Sequence, residues 1–461
     1  MSRRAFRSPA CRSAASWIAA AGAALGAFVL ALASDPAERP RRPNVLLVTV
    51  DTLRADHMSG YGYHRPTTTR LDAWMASGVR FREARTIEPL TAPALTSMLT
   101  STDPHDHGAS RNGLRMRAGL ASLPKTLQAH GYATAALAGN WTLRHKLTGL
   151  GEHFERYDEL LTRKRWFGLV NGEADGDDVT DAAIDWLDAR LGARSAQPFF
   201  LWVHYVDPHA PYLVHREHRA RLGLPSAGEL SREDRYDTEV TFVDAAVGRL
   251  LDHVERRGLA PDTLVVFAAD HGESLGEHGY WGHGRNLYEP TLRIPLAIVW
   301  PGRVRARVLD APALLLDVAP TILGLVGAGS PASFRGFDWS GVLDGDPPPV
   351  DRLTRYQAHR GAVLSKHDSD LARRSGLLAV GLIRGTSKEI FHVREQRRER
   401  YDLSADPGEA RSLDAVKSPP SEGVLGWMET VYDGLGRLDD SAPPSLDAES
   451  AARLRSLGYV D

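Results

Sequence analysis

The chain has 461 residues, 43% of them hydrophobic and 25% charged, with a formal net charge of −2. That length holds one large α/β domain with an appendage, or two to three smaller domains. The charge balance excludes the global basic field that nucleic-acid binding uses, so no nucleic-acid partner is expected.

In chain order, Arg3, Arg4, Arg7 and Arg12 precede an apolar stretch over residues 14–32, with small residues around Ala31 and Ala33. A basic head, an apolar core and small residues read as a secretory signal or an uncleaved membrane anchor over residues 1–34. The expectation is an exported protein, periplasmic, extracellular or membrane-anchored, with membrane association through this segment. A cytoplasmic chain with a buried first helix is the alternative. Ser2-Arg3-Arg4-Ala5-Phe6 also resembles a twin-arginine export signal. Residues 35–43, rich in Pro and Arg, read as a linker. The single cysteine, Cys11, lies inside the signal-like segment. Its cleavage leaves a chain with neither intrachain disulfides nor a Cys nucleophile.

Residues 44–50 form a Val- and Leu-rich run that ends at Asp51. Residues 67–78 read as a capped helix, and residues 79–81 as a short strand. Pro93 belongs in the first turn of a helix that runs to Thr100, which puts Thr91 near its N-cap. Residues 123–131 predict a short helix and 132–138 a strand. Residues 199–206 end at Asp207-Pro208-His209. Val240, Val243, Val247, Leu250 and Leu251 mark an amphipathic helix over 235–256. Residues 263–269 end at Asp270-His271-Gly272. Apolar runs of this kind are strands covered on both faces. Alternating with helices, they predict a doubly wound, mostly parallel sheet flanked by helices over residues 44–345. Pro347-Pro348-Pro349 leads into a smaller C-terminal subdomain, residues 346–461. It contains a hairpin over 377–383 and 389–393 and a helix over 447–457.

In such sheets ligands bind beyond the carboxyl ends of the strands. Asp51, Asp270 and His271 are hard or borderline ligands that suit Mn, Zn or Mg. Thr91, at a helix N-terminus, sits where an anion is favoured. A hydroxyl beside a divalent metal ionises to a nucleophile. His209 and His283 are candidates to bind the anion or protonate the leaving group. Arg54 is a candidate substrate contact. Bland readings stand beside these: an Asp at a strand end caps turns, Thr91 alone is an N-cap, and Arg54 and His57 close the turn after Asp51. His105 and His107 read as structural.

Together these residues resemble the sulfatase family of the alkaline phosphatase superfamily. The matching segments are residues 44–63, 90–108, 199–212, 236–250, 266–295, 401–413 and 454–460, in the family's order. The resemblance implies an α/β core with a smaller C-terminal subdomain and one divalent metal held by Asp51, Asp270 and His271 beside Thr91. It implies Thr91 at the nucleophile position, and His209 and His283 around the substrate anion. His271 replaces a frequent Asn, which favours Mn or Zn, with Ca or Mg as alternatives.

The departures shape the chemistry. Thr91 stands where sulfatases carry the Cys or Ser that becomes formylglycine, and Leu95 replaces the Arg of that motif. Asn140 stands where many members bind sulfate with Lys, Thr142 where many have His, and Thr52 replaces a second Asp. The reading is a metal-dependent hydrolase of a phosphate, phosphonate or sulfate ester with Thr91 as nucleophile. Its alternatives are a phosphoryl-group transferase acting on a cell-envelope acceptor, and a non-catalytic protein binding an anionic glycan or polymer. Residues 157–178 and 213–232 are the expected pocket walls.

Overall fold

Eight strands form the main sheet: β1 (Asn44–Val50), β2 (Val79–Arg85), β3 (Ala133–Ala138), β4 (Arg156–Glu159), β5 (Phe199–Tyr205), β6 (Thr263–Ala269), β7 (Leu296–Val299) and β8 (Arg307–Leu314). The structure, a computed structural model, describes residues 42–162, 164–165, 170–193, 195–361, 376–414 and 418–436. The signal-like segment with Cys11, most of the linker, the helix expected over 447–457 and part of the expected 157–178 wall lie outside the described residues.

The strand order is β8-β2-β7-β6-β1-β5-β3-β4. β1 pairs in parallel with β5 and β6, and β3 with β5 and β4. β7 runs antiparallel between β6 and β2, so the sheet is mixed but mostly parallel. Every residue of β5 and β6 is buried, as continuous apolar runs require. β2 is longer than its three-residue expectation, because its outer half, Arg82–Arg85, is charged and lacks an apolar run.

The helices that matter for the site are α1 (Thr69–Met75), α2 (Thr91–Thr100), α3 (Gly176–Gly192), α4 (Arg232–Arg256) and α5 (Glu422–Gly436). α1 is shorter than expected, and its N-cap Thr68 makes no side-chain cap. α4 begins three residues before its expected start. Ser231 and Asp234 close a capping box there, each side chain taking the other's backbone N–H.

The C-terminal subdomain is an antiparallel sheet of β9 (Thr354–His359), β10 (Leu377–Arg384), β11 (Ser387–His392) and β12 (Arg397–Asp402), in that order. The expected hairpin is β10–β11. α5 covers this sheet through Val424, Trp427, Val431 and Leu435, against Leu377, Val380 and Phe391.

One buried ionic cluster ties this sheet to the larger one. Lys388 of β11, 1% exposed, reaches Glu289 at 2.8 Å and Glu409 at 2.7 Å. Glu289 also binds Arg85 of β2 at 2.8 Å, and its backbone N–H donates to Glu409 at 2.6 Å. Removing one partner of such a cluster leaves a charge buried without compensation, at about 3–5 kcal/mol. Lys388→Met is expected to cost that much, read from denaturant midpoints; a loss below about 1 kcal/mol would show the cluster to be dispensable.

His105 and His107 lie in a buried turn, as the sequence suggests. His107 accepts the Ala109 N–H on Nδ1 at 3.1 Å, so Nε2 carries the proton and donates to Ser97 at 2.9 Å. Burial, then the neighbouring His105, pushes its pKa from 6.5 down to about 3. The unfolded chain binds this proton near pH 6.5 and the folded chain only near pH 3. His107 therefore contributes fully above about pH 6.5, and the contribution falls away towards pH 3, at up to about 1.4 kcal/mol per pH unit. A His107→Gln protein should show a shallower acid limb in its stability–pH curve than the parent.

Candidate active site

Strand register brings the site together. Val50 of β1 pairs with Tyr205 of β5 and Ala269 of β6. The next residues, Asp51, Val206 and Asp270, therefore leave the sheet at one level. The ladder continues one step, with Asp51 N–H donating to Tyr205 at 2.9 Å and Asp270 N–H to Val50 at 3.3 Å. Asp51, Asp270 and His271 are fully buried. After Asp51 the chain turns through Thr52 at φ 55, a left-handed conformation that costs a β-branched residue about 1–2 kcal/mol. Two contacts hold it there. Thr52 N–H donates to Asp270 Oδ1 at 3.1 Å, and Thr52 O accepts Tyr236 OH from α4 at 2.7 Å.

Four atoms converge beyond the strand ends. His271 Nδ1 donates to the Gly272 carbonyl at 2.9 Å, which leaves the Nε2 lone pair facing the site. Nε2 lies 3.3 Å from Thr91 Oγ1, 3.5 Å from Asp270 Oδ2 and 3.7 Å from Asp51 Oδ1. Both carboxylate oxygens are buried and have no hydrogen-bond partner. A tetrahedral ion with bonds of about 2.1 Å sets its ligands about 3.4 Å apart. The imidazole is neutral, its pKa pushed down to about 3 by burial and then by His283. Orphaned carboxylate oxygens and a neutral imidazole fit a divalent cation, and His204 also offers a ligand atom together with Asp51 and Asp270.

Thr91 is the first residue of α2 rather than its cap; Leu90 holds the N-cap position in an extended conformation. A residue outside the sequence candidates serves this helix end. Asn112 Oδ1 accepts the Ala92 N–H at 3.1 Å, while its Nδ2 is buried without a hydrogen-bond partner. No local pattern marks Asn112 in the sequence, because its role depends on a loop folding back twenty residues later. Glu88, three residues before Thr91, is gripped by His359 of β9, from the backbone N–H at 2.8 Å and from Nδ1 at 2.9 Å.

The remaining candidates divide. Asn140 donates to Asp51 Oδ2 and accepts both Thr142 N–H and Thr142 OH, so it braces a carboxylate of the site. His283 Nδ1 donates to Glu273 at 3.0 Å. Burial opposes the charge of this ring, but Glu273 raises its pKa above the ordinary value. Its ring stands 4.4 Å from His271 and 5.2 Å from His209, centroid to centroid. His209 Nδ1 donates to the Ala210 carbonyl at 2.7 Å. The Arg54 guanidinium is held by Asp56, Glu277 and the Glu273 carbonyl, beside the turn that carries Asp51. His57 turns away to Asp237 at 2.9 Å.

His204 is a further residue the sequence reading did not nominate. Thr49 accepts the Trp202 indole N–H at 2.9 Å, and its own proton is available to His204 Nδ1 at 2.8 Å. That arrangement aims His204 Nε2–H towards Asp51 Oδ2, 3.9 Å away. His283 and His209 also line a cleft of about 650 Å³ that opens to solvent. A second cleft, about 750 Å³, lies by Arg352 and Trp427 and shares none of the site's residues.

A family model described as Sulfatase matches residues 43–328, and one described as N-sulphoglucosamine sulphohydrolase, C-terminal, matches residues 276–419. An N-acetylglucosamine-6-O-sulfatase of Bacteroides thetaiotaomicron is 24% identical over 84% of this chain and 86% of its own. Human arylsulfatase A is 28% identical over 91% of this chain and 89% of its own. A solved protein in complex with its substrate, D-glucosamine-2-N,6-O-disulfate, has a TM-score of 0.66 at 20% identity, covering 88% of this chain and 100% of that one. The phosphonate monoester hydrolase of Agrobacterium radiobacter gives 0.64 at 18%, covering 86% and 96%. At these identities the structural likeness speaks for the fold.

Metal analysis of the dialysed protein should find one divalent ion per chain. A free ion at a hundred times its Kd should raise unfolding stability by about 2.7 kcal/mol. Asp270→Asn should abolish both effects, and a stability gain that survives the change would place the ion elsewhere.

Proposed function

The chain belongs to the sulfatase family, and from that membership we propose a metal-dependent ester hydrolase whose nucleophile is the Thr91 hydroxyl. The observation that carries this reading is the position of Thr91 Oγ1, 3.3 Å from His271 Nε2 at the point where two unpartnered carboxylate oxygens also converge. Asp51, Asp270 and His271 would hold the cation, with Mn or Zn favoured by two carboxylates and an imidazole. Such an ion lowers the pKa of an adjacent hydroxyl and offsets charge on the substrate's oxygens.

The residues then divide the work. Thr91 oxygen, its proton lost to solvent, forms a bond to the phosphorus or sulfur centre. The bond from that centre to the alcohol oxygen breaks, and its electron pair leaves with the alcohol. His283, whose pKa Glu273 raises against burial, is placed to give that oxygen a proton. His209 donates through Nδ1 to Ala210, so its neutral form presents the Nε2 lone pair as a base for the water that frees Thr91. Asn112 and Asn140 fix the helix end and the Asp51 carboxylate.

Thr91 cannot become formylglycine, whose hydrate releases sulfate by elimination. Release from Thr91 requires attack at the central atom, which favours phosphate or phosphonate esters. The names of the relatives, sulfatases among them, keep sulfate esters in the test panel. Export through residues 1–34 is part of this proposal; among the described residues no helix is long and apolar enough to cross a membrane.

Aryl phosphate, phosphonate and sulfate esters assayed with Mn or Zn should show metal-dependent turnover of at least one class. Thr91→Ala should lower kcat by about a thousandfold or more, and Thr91→Ser should retain most of it. Turnover that survives Thr91→Ala would remove Thr91 from the nucleophile role.

A further inference from the structure

The cleft beside His283 holds two arginines with no ion-pair partner among the described residues. Arg232 opens α4 and Arg235 follows on its next turn; both line the cleft with His209, Trp281 and His283. The carboxylates around them are committed elsewhere. Glu273 takes His283 at 3.0 Å, Glu277 takes Arg54 at 2.6 Å, Asp234 takes Arg65 at 2.7 Å, and Glu233 takes the Tyr63 hydroxyl at 3.3 Å. Arg235 Nε donates to the Leu230 carbonyl at 3.3 Å, which holds that guanidinium along the cleft wall. The cleft therefore presents two guanidinium groups that form no ion pair among the described residues, next to the reacting end.

Its aromatic wall is equally specific. Trp281 lies two residues before His283 and is 49% exposed. Its indole is fixed from two directions. Arg232 Cζ stands 4.5 Å from the ring centroid. Gly276, at φ +119, leaves room for the ring: a Cβ there would stand 2.7 Å from the indole Cζ2. A guanidinium over an indole makes a wall that accepts a ring at its flat side and an anion at its charged side. Tyr212 and Tyr280 also line the cleft, and their hydroxyls are tied to Glu273 at 3.1 Å and to the His283 carbonyl at 2.9 Å.

We propose that this cleft is the subsite for the alcohol portion of the substrate, and that it selects a ring-bearing alcohol carrying a second anionic group. The ring lies against Trp281 and the second anion pairs with Arg232 and Arg235. The first anion is the one at Thr91, so the inference rests on the reading of Thr91, His209 and His283 as the reacting end. Arg232, Arg235 and Trp281 then determine specificity without touching the bond that breaks.

The test uses matched esters. 4-Sulfophenyl phosphate and 4-sulfamoylphenyl phosphate have similar shape and electron withdrawal but differ by one negative charge; the corresponding sulfate esters form a second pair. With the metal-loaded full chain, kcat/KM should favour the sulfonated member by about tenfold or more at low salt, less at high salt. In the Arg232→Gln/Arg235→Gln protein the ratio should fall to within about threefold of unity. A wild-type ratio near one, or a preference that persists in the double variant, overturns the proposal. Turnover of neither pair would remove the reading of Thr91 as nucleophile, and the cleft would then be judged by calorimetry with 4-hydroxybenzenesulfonate against 4-hydroxybenzenesulfonamide. Tighter binding of the sulfonate that is lost in the double variant supports the subsite, and equal binding overturns it.

Discussion

Two carboxylates buried against each other set the terms for the rest of the molecule. Parallel strands in register deliver Asp51 and Asp270 to one level, where neither meets water. Burying like charges together is costly unless a cation or donors answer them. Without a cation, burial and then the charge of Asp51 push the Asp270 pKa well above the ordinary range. Burial acts on Asp51 in the same direction, but His209 and the hydrogen bond from His204 overrule it and hold that carboxyl below the usual values. The neighbouring structure serves this pair. Thr52 and His271 N–H groups satisfy one oxygen of Asp270, Asn140 one oxygen of Asp51, and one oxygen of each carboxylate is left to face His271 Nε2.

The small C-terminal sheet braces the segment that leads into Thr91. Gln357 N–H donates to the Ile87 carbonyl at 3.0 Å, His359 grips Glu88, and the Gly361 carbonyl accepts Asn112 N–H at 3.3 Å. Asn112 in turn holds Ala92. The edge of β9 therefore fixes the segment before Thr91 and the side chain that satisfies the helix after it. A fully buried, bent approach of this kind leaves the backbone before Thr91 little freedom.

Much of this was legible in the sequence, for identifiable reasons. β1 and β6 have the boundaries their apolar runs suggest, because each run ends abruptly at an aspartate. Asp51, Asp270, His271 and Thr91 stand at positions whose direction is fixed by a strand end or a helix start. Other features depend on partners distant in the chain. His204 sits inside an apolar run and reads as core until Asp51 is seen beside it. The charged strand Arg397–Asp402 and the half-polar strand Thr354–His359 show little hydrophobic pattern, since each buries polar side chains that pair across the subdomain. Nothing in Leu296–Val299 encodes its antiparallel direction. Arg54 follows Asp51 closely enough in sequence to face the site or to close the turn, and its pairing with the distant Glu277 is visible only in the fold.

The cluster of Arg85, Glu289, Lys388 and Glu409 has a consequence for how the protein is made. Glu289 opens the turn after the loop that carries Glu273, Trp281 and His283, and its charge is answered from β2 and from residues about a hundred positions later. A ribosome that has released the whole main sheet has delivered both Asp51 and Asp270. It has yet to deliver the lysine that anchors the loop opposite them. Synthesis thus leaves the anchoring of the His283 loop for last, and a chain cut after the main sheet carries Asp51, Asp270, His271 and His283 without Lys388 and Glu409.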